Sequence, residues 1–208
     1  MKDRISYGIL LFISKLISLL PFNIIYFFSD IISFFLYRVA RYRRKVVRVN
    51  LTKSFPEKTI KEIYNIEKSF YSYFCDYFLE TLTMAYIKPS GLQKKIKFMN
   101  PTVFDTYFDK KQSVILAAAH YSNWEMTAQM PDFIKLKGLA VYKPQSNKGF
   151  DKFFKRVRER FGIEAVPMNE IGKRLFKYSK EGIPTITYLL SDQRPDRVNV
   201  RYWTKFLN

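Results

Sequence analysis

Two of the commonest reactive side chains are almost missing from this chain: it has one cysteine and one histidine in 208 residues. That scarcity excludes a disulfide framework and leaves too few soft ligands for a structural zinc site, so neither a metal nor another cofactor is expected. Cys75 sits in the aromatic stretch from Phe70 to Phe78 and reads as packing rather than as a nucleophile. Acidic residues are also scarce, 18 against 36 basic ones, for a net charge of +18. An excess of this size points to polyanionic partners such as nucleic acid, an anionic bilayer, a phosphorylated lipid or an acidic carrier protein, without choosing among them. No repeat or low-complexity segment interrupts the chain, and its length suits one domain with a real core.

A long uncharged apolar run is missing too. Residues Ile5 to Tyr37 are almost wholly apolar, yet Lys15, Asp30 and Pro21 break them, and the longest uncharged run, Leu16 to Ser29, has 14 residues. A spanning helix needs roughly 20 apolar residues, so the segment predicts a proline-broken helical hairpin lying in one leaflet. A pair of ordinary core helices would give a similar pattern. Against that, Arg38, Arg41, Arg43, Arg44, Lys45 and Arg48 follow at once. An apolar stretch with a polybasic flank is a two-signal anchor for the cytoplasmic face of an anionic membrane. Residues 1–48 are therefore expected to form the anchor and residues 49–208 a separate domain.

Within 49–208, Lys58 to Tyr86 lacks glycine and proline and reads as a helix. Short strands are expected at Lys95–Phe98, Ser113–Ala119, Gly138–Tyr142, Gly162–Val166 and Pro184–Leu190. Helices are expected at Pro101–Phe108, Asn123–Lys135, Lys148–Phe161 and Asn169–Lys180. Alternating strands and helices predict an α/β fold, a mostly buried central sheet covered by helices on both faces. The uninterrupted apolar run Ser113–Ala119 reads as a fully buried strand.

That strand delivers the only histidine. His120 lies where its C-terminal end falls, the place where open α/β sheets carry their chemistry, and Glu125 follows five residues later. Residues five apart on a continuous helix do not face each other, so a His120–Glu125 pair requires a loop or helix start between them. Ser122 offers an N-cap with Glu125 at the third helical position, and such a capping box by itself accounts for both residues. It leaves the placement of the lone imidazole unaccounted for; a general base there, with Glu125 as its partner, accounts for that as well.

The turn Tyr142-Lys143-Pro144-Gln145-Ser146-Asn147 precedes a helix whose Phe150, Phe153, Phe154, Val157 and Phe161 form a buried stripe. Asp151, Lys155 and Arg158 share another stripe. It reads either as a solvated face with an Asp151–Lys155 ion pair or as a guanidinium presented to a phosphate. The last strand runs into Ser191-Asp192-Gln193-Arg194-Pro195, polar residues at a second strand end.

Taken in order, the His120–Glu125 turn, Tyr142-Lys143-Pro144 with Asn147, Asp151 and Arg158, and Leu189 to Pro195 resemble the lipid A biosynthesis (late, or secondary) acyltransferases, members of the lysophospholipid acyltransferase superfamily. The resemblance implies a glycerolphosphate-acyltransferase-like α/β core at the bacterial inner membrane. It implies an acyl carrier protein thioester as donor and a hydroxyl of a lipid A precursor, a glycolipid, as acceptor. His120 and Glu125 are catalytic on that basis, and Arg158, Asp192, Asn147 and Lys143 are assigned to the substrate site. Glu125 stands where many relatives carry aspartate. Relatives also continue past Asn208, so the chain is expected to be C-terminally truncated. Two other readings stay open: acylation of another lipid, such as a lysophospholipid or aminolipid, and a non-enzymatic membrane-tethered polyanion binder. The second lacks any nucleic-acid motif, and no nucleic acid is expected.

Overall fold

The computed structural model describes residues 2–193; the expected features at Arg194, Pro195 and the C-terminal end lie outside them. Eight α-helices occur among these residues. They are α1 (Lys2–Ile17), α2 (Phe22–Phe34), α3 (Arg44–Ser54), α4 (Ile60–Thr83), α5 (Pro89–Gln93), α6 (Asp105–Asp109), α7 (Lys148–Glu159) and α8 (Ile171–Lys180). The strands are β1 (Val114–Ala118), β2 (Lys137–Tyr142), β3 (Glu164–Pro167) and β4 (Thr185–Leu190). The Lys95–Phe98 segment forms no strand. Its Phe98 instead packs against the core cluster of Met130, Leu136 and Ile186.

The chain forms two compact units: one combines the residues up to Leu19 with Thr81–Gln193, the other contains Leu20–Glu80. The first holds a four-stranded, all-parallel sheet in the order β1-β4-β2-β3, flanked by helices. β4 is central because its run of Thr185, Ile186 and Thr187 is buried. β1 differs from its expected full burial: it lies at the sheet edge with alternate residues exposed, Ile115 at 69%. A continuous apolar run does not distinguish a central strand from an edge strand, and β1 pairs on only one side among the described residues.

α7 follows its sequence pattern closely: Phe153, Val157 and Phe161 are buried. Its N-cap is Asn147, whose Oδ1 accepts from the backbone N–H groups of Gly149 (2.9 Å) and Phe150 (3.1 Å). Ser6 of α1 donates to the same oxygen at 3.2 Å. Asp151 accepts from the Gln145 N–H at 2.8 Å, so the expected Asp151–Lys155 pair is replaced by Lys155–Glu159 at 3.7 Å. Gly149 marks the closest approach of α1: a Cβ there would run into Ser6 Oγ and the Asp3 carbonyl oxygen. Gly149→Ala is expected to cost about 2 kcal/mol or more, because the obstructing atoms include backbone that cannot rotate away. Chemical denaturation would register it; an unchanged midpoint would mean that α1 docks loosely.

The Leu20–Glu80 unit is helical. Pro21 caps α2, placing the break between α1 and α2 where the sequence predicts it. A five-residue π-helical turn, Phe35–Val39, continues α2. Together Phe22–Val39 make an 18-residue helix of mean hydropathy 1.3, long and apolar enough to cross a membrane by length and composition. Most of its large apolar side chains face outward, with Ile25 and Tyr37 buried. Ser29 and Ser33 are buried, whereas Phe27, Phe28, Ile31, Phe34 and Phe35 are exposed.

Two of the six clustered basic residues turn inward. Arg44 Nε and Arg48 Nε reach opposite oxygens of the fully buried Glu67 at 3.0 and 2.8 Å. Burial pushes the Glu67 carboxyl up, but the hydrogen bonds from Arg48 and Arg44 outweigh it and hold the group below the usual carboxylate range. A lowered folded-state pKa adds stability above the unfolded value of about 4.3, and that stability fades as pH falls through the folded value. The melting temperature of the wild type in detergent should therefore drop more steeply below about pH 4 than that of Glu67→Gln, which has no such proton to gain. Parallel pH profiles would remove this pair from the stability of the unit.

Candidate active site

Parallel register assembles the site. Ala118 of β1 pairs with Leu190 of β4, and the Ser191 N–H extends the ladder to the Ala118 carbonyl at 2.7 Å. Two residues beyond each partner come His120 and Asp192, so neighbouring strand ends bring them to the same level. His120 Nδ1 lies 2.7 Å from Asp192 Oδ1, and the His120 backbone N–H donates to Asp192 Oδ2 at 2.8 Å. Both carboxylate oxygens thus serve one residue. The side-chain hydrogen bond with His120 is the largest influence holding the Asp192 carboxyl below its ordinary value. An ionised carboxylate only accepts, so Nδ1 carries the proton in this pair, and in the neutral tautomer of the ring Nε2 is the atom with the lone pair. The two side chains are 32% and 28% exposed, open to an incoming substrate. Trp124 packs edge-on to the imidazole with ring centroids 4.7 Å apart.

Glu125, expected beside His120, has a different hydrogen-bonding partner. It is buried, and Arg158 of α7 grips it with a two-pronged fork, Nε to Oε2 at 2.8 Å and Nη2 to Oε1 at 2.5 Å. The backbone explains why. Ser122 takes a left-handed conformation (φ 51°) rather than the extended one of an N-cap. The segment after it, Trp124–Asp132, is a 3-10 helix with Pro131 inside, not the expected α-helix. Three residues per turn re-aim Glu125 toward α7. Arg158 is correspondingly not a free guanidinium on a solvated face. It is mostly buried and also lies 5.5 Å from the centroid of the Tyr142 ring.

The other expected substrate residues separate. Lys143 is exposed one residue past β2, on the same C-terminal edge as His120 and Asp192. Asn147 is occupied as the α7 cap and by Ser6. Cys75 is buried, and burial pushes its thiol up to about 11, which fits packing rather than nucleophilic attack. Between the sheet and the Glu125–Arg158 pair is a cavity of about 40 Å³ lined by Trp124, Thr127, Tyr188 and Leu190, among others. That is room for a water but not for an acyl chain. Among the described residues no cluster of three or more His, Cys, Asp or Glu side chains could hold a metal ion.

Resemblance assigns Asp192 to the substrate site, and the structure sets it beside the imidazole. Its signal was present as two apolar strands each followed, two residues on, by a polar side chain. Recognising it required knowing that β1 and β4 are neighbours, although they are separated in the chain by β2 and β3.

No curated protein matches the chain. The family model for bacterial lipid A biosynthesis acyltransferases matches residues 4–202, spanning both units and the whole strand-end site, and the chain belongs to that family.

Proposed function

We propose that the protein transfers a fatty acyl group from an acyl carrier protein thioester to a hydroxyl of a lipid A precursor, at the cytoplasmic face of the bacterial inner membrane. The observation that carries the chemistry is the His120–Asp192 pair on adjacent strand ends. His120 Nε2 takes the proton of the acceptor hydroxyl as its oxygen attacks the thioester carbonyl carbon. The tetrahedral adduct then expels the thiolate, which recovers the proton from the imidazolium, so atoms and charge balance without a covalent enzyme intermediate. Asp192 holds the tautomer and stabilises the transient imidazolium. Glu125 and Arg158 fix the 3-10 segment behind the histidine against α7 and act as positioning residues. A second reading makes Glu125 the histidine's partner once substrate is bound, as the His120-to-Glu125 spacing suggested.

The membrane placement rests on the outward apolar face of Phe22–Val39, where Phe27, Phe28, Ile31, Phe34 and Phe35 are exposed. The net charge of +18 suits an acidic carrier and a phosphorylated acceptor. The test offers labelled acyl carrier protein thioester and acyl-coenzyme A to the full chain in detergent. A phosphorylated glucosamine-disaccharide acceptor, a lysophospholipid and an aminolipid are supplied in parallel. Label should enter the disaccharide from the carrier thioester. Preferential labelling of the lysophospholipid or aminolipid would replace the acceptor, and preference for acyl-coenzyme A would replace the donor.

A further inference from the structure

Trp124 belongs to two places at once. Its ring lies edge-on against the His120 imidazole, with centroids 4.7 Å and planes 78° apart. It also lines the cavity of about 40 Å³ beside the Glu125–Arg158 pair, and His120 is not among the described residues that line that cavity. The indole is held from behind. The Trp124 carbonyl accepts from the Thr127 hydroxyl at 2.6 Å, and the neighbouring Glu125 is gripped by the Arg158 fork. A ring carried on a backbone fixed at both points has little freedom to leave the imidazole.

The cavity suits water. Its volume admits one molecule, and Glu125, Arg158, Thr127 and Tyr188 in its lining supply the roughly two to four polar partners that a buried water takes. Water is also the competitor of the acceptor. A water deprotonated by His120 would bond through its oxygen to the thioester carbonyl carbon. The C–S bond would break, the imidazolium would return the proton to the thiolate, and a free fatty acid would leave in place of an acylated lipid. The imidazole has two approaches. On its open side, where the side chain is 32% exposed, bound acceptor displaces solvent. The inner approach, from the cavity, leads past Trp124. We infer that Trp124 is a specificity-determining residue: its indole walls the base off from the cavity, so that the loaded site deprotonates the lipid hydroxyl and not water. This rests on the reading of His120 as the general base and adds to it the choice of nucleophile.

The experiment counts two products, free fatty acid and acylated lipid, formed by the full chain from labelled acyl carrier protein thioester. The acceptor is whichever of the three lipids above the wild type labels, raised to saturation. Wild-type fatty acid release should then fall toward zero, because bound acceptor closes the open side. Trp124→Ala should keep a release that no acceptor concentration removes, raising the fatty acid fraction by about tenfold or more. Trp124→Phe, which retains an aromatic ring against the imidazole, should lie between. The fraction is a ratio within the folded molecules, so partial unfolding of a variant does not move it. Adding His120→Ala to Trp124→Ala should lower both products by about 10²- to 10⁴-fold. A Trp124→Ala fraction equal to that of the wild type overturns the wall and leaves the base standing. Release that survives in the double variant overturns the inference, and transfer that survives His120→Ala alone sinks the chemistry on which it rests. A second readout needs no donor. With Trp203→Phe leaving Trp124 as the sole tryptophan, indole fluorescence should step down on acidification as the imidazolium quenches it. The step should vanish in His120→Ala; a step that remains there overturns the contact.

Discussion

His120→Ala is expected to lower the acyl-transfer rate by about 10²- to 10⁴-fold at an unchanged melting temperature, the usual cost of removing a positioned general base. The imidazole is about one-third exposed and carries little packing, so the loss falls on turnover. Asp192→Asn should cost about 10²-fold or more in kcat, with a smaller change in KM. The amide can present its NH2 to Nδ1, which then keeps its lone pair and moves the ring proton to Nε2, the atom that must accept. Glu125→Gln should behave differently. It leaves Arg158 facing a neutral partner, so the melting temperature should fall while the folded fraction keeps most of its turnover. Rates for the three variants, measured with melting curves on the same preparations, decide between the two carboxylates. If Glu125→Gln is inactive at full stability and Asp192→Asn remains active, Glu125 is the histidine's partner and the pair proposed here is wrong.

The second large effect concerns stability. Arg158→Ala should destabilise the α/β unit by about 3–5 kcal/mol, because it strands the buried Glu125 carboxylate without its counter-charge. Arg158→Lys should fall between alanine and wild type, since an ammonium restores charge but not the fork. The double replacement Arg158→Leu with Glu125→Leu should recover much of the loss, as both charges leave together. Denaturant titrations of the two single variants and the double complete the cycle. An Arg158→Ala variant of wild-type stability with a raised KM for the phosphorylated acceptor would return Arg158 to phosphate binding.

The alternation of elements was legible because periodicity reports local structure. The α7 stripe, β2, β3, β4 and the break at Pro21 all lie within a few residues of their expected places. So did the delivery of His120 to a strand end, since a strand followed by a polar turn is a local signal. Partnership was not legible. Which carboxylate meets the imidazole depends on strand order, and β1 pairs with the last described strand rather than with the next one. The redirection of Glu125 depends on a left-handed serine and a 3-10 turn, conformations the residue types from Ser122 to Glu125 allow but do not announce. The polybasic cluster was legible only in part for a similar reason. Counting charges from Arg38 to Arg48 cannot show that a glutamate about twenty positions downstream withdraws two of them.

The seating of α1 on α7 has a consequence for biosynthesis. Ser6 meets Asn147 across 141 positions of sequence. At ribosomal rates of about 5–20 residues per second, roughly 7–30 s pass between the emergence of α1 and that of its binding surface. Through that interval α1 lacks the α7 surface on which it packs. A segment made long before its binding surface is among the last to find its place, and early contact with lipid or a chaperone would shield it until α7 arrives.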